Sequence, residues 1–98
     1  MADEAHIYIV VYDISDQKRW RRLFRLMHGY GEWVQLSVFQ CRLTRQRHAE
    51  LVAAIDGLIH HEQDHVVLMD LGPADRVEPR VVSLGKSFET MVHEPIIV

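Results

Sequence analysis

Residues 6–43, HIYIVVYDISDQKRWRRLFRLMHGYGEWVQLSVFQCRL, hold an apolar segment, a basic segment of helical period and a second apolar segment in one unbroken run. Ile7 to Tyr12 is β-branched and aromatic, too short for a helix and apolar on both faces, which predicts a central buried strand. Ser15 or Asp16 can then cap a helix. Trp20, Leu23, Phe24 and Met27 recur at i, i+3, i+4 and i+7 and line one face of it. Gly29 and Gly31 stop that helix. Trp33 to Leu43, rich in Val, Leu, Phe and Cys, is strand material long enough for two short strands or one bent one.

Working outward, Thr44 is a plausible cap for a second helix, because Leu51, Val52, Ile55, Leu58 and Ile59 again follow helical spacing. That pattern dies at the polar stretch His60 to Asp64. His65 to Leu71 reads as another buried-type strand, and GPADRVEP, residues 72–79, reads as a loop. Strand, helix, strand material, helix, strand is the order of an α+β, ferredoxin-like βαββαβ sandwich, with two helices on one face of a small antiparallel sheet. Arg80 to Leu84 and Pro95 to Val98 predict further short strands. Residues 1–98 are therefore expected to form a single domain, with 80–98 as a C-terminal extension pairing with the partner protomer of a homodimer.

The chain has 98 residues, 48% hydrophobic and 26% charged, which fits one core and excludes a disordered or fibrous chain. The formal net charge of −3 hides an asymmetry: residues 1–50 sum to +2 and residues 51–98 to −5. The lone cysteine, Cys41, excludes an internal disulfide framework and fits a reducing compartment. MADEAH is polar and acidic, and the apolar run after it is too short for a signal peptide or a membrane span. A cytoplasmic location with no membrane partner is the expectation.

Two features carry chemistry. Lys18, Arg19, Arg21, Arg22 and Arg25 put five cations within eight residues, on the arc left free by the apolar stripe. Such a face suits phosphate groups, although a merely solvated face would look the same. Asp13 stands alone where the first strand ends. It reads either as a turn former or as half of a two-carboxylate Mg²⁺ site completed by a two-fold partner, the ion activating water for attack on a phosphodiester. Three other motifs are set aside. HEQDH, His61 to His65, matches a zinc-protease pattern but lies where the helical period has ended. GKS, residues 85–87, lacks the first glycine of a phosphate-binding loop, and Gly29-Tyr30-Gly31 follows a helix instead of a strand. Cys41, inside an apolar strand, reads as core packing.

VVYDIS before a basic helix, then GYGEWVQLSVFQCRLT and VVSLGK, together resemble the CRISPR-associated protein two family from about Ile7 to Lys86. The resemblance implies a ferredoxin-like homodimer whose C-terminal strands cross to the partner's sheet. It also implies a place in spacer acquisition, bridging dimers of CRISPR-associated protein one, the integrase, and holding duplex DNA. Members are described as Mg²⁺-dependent endonucleases on single-stranded RNA or double-stranded DNA, with Mn²⁺ as an alternative ion. The family's metal-binding, catalytic aspartate corresponds to Asp13, and Tyr12, Ser37 and Phe39 match positions near that cleft. Many relatives carry a basic residue where this chain has Trp33. Three functions stay open on this basis: a nuclease, a non-catalytic DNA-holding scaffold of the integrase complex, and a fold-related toxin-type ribonuclease acting alone. A small-molecule regulatory module is a more distant fourth.

Overall fold

β1, His6–Asp13, runs through the middle of the sheet, as its two-sided apolarity predicts. In the computed structural model, which describes residues 4–85, it is followed by α1 (Gln17–His28), β2 (Gly31–Gln35), β3 (Val38–Leu43), α2 (Arg45–Leu58) and β4 (His65–Pro73). The sheet order is β2-β3-β1-β4 with every neighbour antiparallel. Two helices on one face of this sheet make the ferredoxin-like arrangement expected from the order of elements.

Strand alternation sorts the side chains. Tyr8, Val10 and Tyr12 of β1 and Phe39, Cys41 and Leu43 of β3 point at the helices, where Leu23, Phe24 and Met27 of α1 and Leu51 and Ile55 of α2 bury them. Ile9, Val11 and Asp13 take the opposite, helix-free face. Of the two candidate caps, Asp16 is the N-cap of α1, accepting from Arg19 N at 2.9 Å. Thr44 caps α2 as expected, accepting from Arg47 N at 3.2 Å.

The strand material resolves into two strands joined at Leu36-Ser37. Gly31 opens β2 because the chains meet closely there: a β-carbon would collide with Cys41 Sγ and the Gln40 carbonyl oxygen. β4 runs two residues past its expected end. A bulge makes this possible, since Ile7 pairs with Gly72 and Tyr8 with Asp70, leaving Leu71 unopposed and Gly72 at φ +114°. Arg80 to Leu84 forms no strand within the single chain, and the expected strand Pro95 to Val98 lies outside the described residues.

Among the described residues nothing covers the helix-free face, and its centre is apolar. Ile9, Val11 and Val38 are half-buried at its centre, while Val67 and Met69, opposite Val11 and Ile9, are 37% and 43% exposed.

Candidate metal and nucleic-acid site at the end of the central strand

β1 ends on two residues that part ways. Tyr12 turns inward: its hydroxyl donates to the Leu36 carbonyl at 3.5 Å and its N–H to the Ser37 carbonyl at 3.0 Å, and burial pushes its phenol well above the usual tyrosine range. Asp13 turns outward to the helix-free face, exposed, with no side-chain hydrogen bond or ion pair among the described residues.

The same alternation corrects part of the expected cleft. Phe39 is fully buried, edge-on to Phe24 with ring centroids 5.7 Å apart. The Ser37 hydroxyl accepts from Trp20 Nε1 at 3.1 Å. Tyr12 and Phe39 are therefore buried on the helix-covered side behind Asp13, while Ser37 is half-buried in the β2–β3 turn and held by Trp20. Cys41 is likewise in the core, its thiol pushed up to about 11 by burial, as a packing residue should be.

Of the five basic residues of α1, Lys18, Arg22 and Arg25 lie on the arc opposite the buried stripe, with Arg21 on its flank. None of the four forms an ion pair among the described residues. Arg19 does not join them. Its Nε donates to Asp64 Oδ2 at 2.8 Å, and its terminal nitrogens reach Asp64 Oδ1, Ser15 Oγ and Gln63 Oε1, each at 3.3 Å. The side chain is 21% exposed and that of Asp64 is 0%.

Asp64 is the residue that sequence reasoning missed. Its carboxylate also accepts from Ser15 N at 3.0 Å and His60 N at 2.8 Å, tying the turn after Asp13 to the turn before β4. The Arg19 guanidinium and these backbone donors hold its carboxyl far below the ordinary 3.8, against the opposing pull of burial. No periodicity marks such a residue; the only clue in sequence is an acid at the mouth of an apolar strand.

A lone exposed carboxylate suits Mg²⁺, which takes one or two carboxylates and fills its shell with water and phosphate. Among the described residues no group of three or more His, Cys, Asp or Glu able to hold a metal occurs.

The family model for CRISPR associated protein Cas2 matches residues 6–78, from the start of β1 to just past β4. The chain belongs to the Cas2 family. It is 55% identical over 93 residues to a CRISPR-associated endoribonuclease Cas2 of Geobacter sulfurreducens, covering 95% of this chain and 98% of that one. A CRISPR-associated endoribonuclease Cas2 of Rhodospirillum rubrum is 53% identical, over 95% of this chain and 91% of the relative. Among solved structures, Streptococcus pyogenes Cas2 superposes with a TM-score of 0.65 at 28% identity, covering 76% of this chain and 99% of that one. The Cas2 resemblance read from VVYDIS and GYGEWVQLSVFQC is thus matched along nearly the whole chain. Among the described residues no helix is long and apolar enough to cross a membrane.

Proposed function

We propose that this Cas2-family chain is a homodimeric, nucleic-acid-binding subunit of CRISPR adaptation that cleaves phosphodiester bonds of single-stranded RNA or duplex DNA at paired Asp13 carboxylates. The observation that carries this reading is the place of Asp13: an unpartnered acid at the rim of an open apolar sheet face. Two such faces brought together about a two-fold axis bury that surface and set the two Asp13 ends at one interface. Mg²⁺ bound there would supply a hydroxide-generating Lewis acid. The chain's own part is to present the carboxylates, with Asp64 fixing the turn behind them, and to hold the polyanion through Lys18, Arg22 and Arg25.

Asp13→Asn keeps the shape and removes the charge. Labelled RNA and duplex DNA incubated with wild type in Mg²⁺ should be cut, and both the mutant and chelator should abolish cutting. Equal cutting by mutant and wild type would remove Asp13 from the reaction.

One observation favours a second reading, a non-catalytic scaffold bridging the integrase. Helix α1 covers the sheet face opposite Asp13, so its basic arc points away from the open face. DNA held along that arc need not reach Asp13 at all. Duplex binding that survives Asp13→Asn, without cleavage by either protein, would support the scaffold.

A further inference from the structure

Asp13 has a neighbour that the family reading does not use. The last register pair between β1 and β4 is Asp13 with His65. Residues facing each other in an antiparallel pair share one side of the sheet with β-carbons about 4.5–5.5 Å apart, so carboxylate and imidazole rise together at the rim of the open face. Both residues are exposed, and neither side chain makes a hydrogen bond, ion pair or ring contact among the described residues.

The structure also separates His65 from the zinc-protease pattern in which it stands. His61 lies in the turn after α2, its Nε2 3.0 Å from the Asp56 carbonyl oxygen, so His61 and His65 are not a helical pair. Asp64, one position earlier, points inward and binds Ser15 N and Arg19. It therefore pins the start of β4 against the end of β1, which holds the Asp13 and His65 backbones in register without consuming either side chain.

We propose that His65 is a second protein ligand beside Asp13, so that the ion site of a two-fold pair offers imidazole nitrogen as well as carboxylate oxygen and takes Mn²⁺ in preference to Mg²⁺. This rests on Asp13 belonging to a shared metal site. Mg²⁺ is a hard ion that favours oxygen donors and keeps its waters, whereas an imidazole nitrogen raises the affinity of later first-row ions more than that of Mg²⁺. An all-carboxylate site would gain nothing from the neighbour.

Direct binding separates the possibilities. The full-length dimer is titrated with Mn²⁺ and with Mg²⁺ by calorimetry, and the Mn²⁺ spin echo is read for modulation by a bound imidazole nitrogen, in wild type, His65→Asn and Asp13→Asn. Wild type should bind Mn²⁺ more tightly than Mg²⁺ and show the nitrogen modulation. His65→Asn should lose that modulation and about tenfold in Mn²⁺ affinity, leaving Mg²⁺ binding unchanged. Mn²⁺ binding that depends on Asp13 but shows no nitrogen signal and no loss in His65→Asn would overturn the role of His65 and leave Asp13 in place. Absence of Mn²⁺ binding, or binding indifferent to Asp13→Asn, would overturn both.

Discussion

Five hydrogen bonds converge on the Asp64 carboxylate, two from Ser15, two from Arg19 and one from His60. Removing the acceptor strands part-buried donors and a partly buried guanidinium, which costs about 2 kcal/mol in systems of this kind. Asp64→Ala is expected to lower the urea midpoint by a corresponding amount without changing the slope. The pH dependence has a fixed sign. The folded carboxyl lies below the ordinary 3.8, so its contribution is fully present above the unfolded value and drains away as pH falls below about 4. The stability gap between wild type and Asp64→Asn should accordingly be smaller at pH 3 than at pH 6, measured by urea denaturation at each pH; a gap that grows in acid would show that the clamp is not ionic. At this scale the sequence misleads in a definite way. Asp13 and Tyr12 look like one motif because they are adjacent, yet in a strand adjacency means opposite faces. Arg19 looks like its basic neighbours because its partner, Asp64, is 45 residues away and carries no pattern.

On helix α1 the basic residues divide by their angle around the axis. Lys18, Arg22 and Arg25 share the outer arc, and Arg19 turns toward the α2–β4 turn. Replacing Lys18, Arg22 and Arg25 together by Gln should weaken binding of nucleic acid of any sequence. It should also reduce the dependence of log affinity on log salt by about 2–3, since each phosphate contact contributes about 0.7 to 0.9. Arg19→Gln should lower stability while leaving that salt slope nearly intact; fluorescence anisotropy across a salt series reads both. The elements themselves were legible because each depends on local signals: a two-sided apolar run for β1, the 3.6 period of Trp20, Leu23, Phe24 and Met27 for α1, the Thr44 cap for α2. The details that escaped are set by neighbours distant in sequence. Gly31 looked like a helix stop but is required where β2 meets Cys41, and β4 outruns its apolar pattern because a bulge at Leu71 lets it continue beside β1. Trp33 packs edge-on to Phe24 at 5.9 Å and adds to the core side of β2.

For the molecule as a whole, the open face is the surface still to be accounted for. Val67, Met69 and the bulged Leu71 sit at 37%, 43% and 43% exposure on or beside a sheet face that no layer covers among the described residues. A charge placed among them has no way to be buried without cost, so in the homodimer proposed above Met69→Asp is expected to shift the protein from dimer to monomer in light scattering while the monomer keeps its far-ultraviolet spectrum. A dimer that persists in Met69→Asp would place the subunit contact elsewhere. If the open faces pair, the two basic arcs end on opposite outer surfaces, which is the arrangement a bridging subunit requires. The Asp64 clamp bears on how the chain reaches this state. Its contact with Ser15 spans 49 residues and encloses α1, the β2–β3 hairpin and α2. A contact that closes so long a loop forms only after the enclosed elements have docked, which places it on the native side of the folding barrier. Asp64→Asn should therefore leave the refolding limb of a chevron nearly unmoved and raise the unfolding limb. The clamp acts as a latch on the lifetime of the folded chain more than on the speed of reaching it.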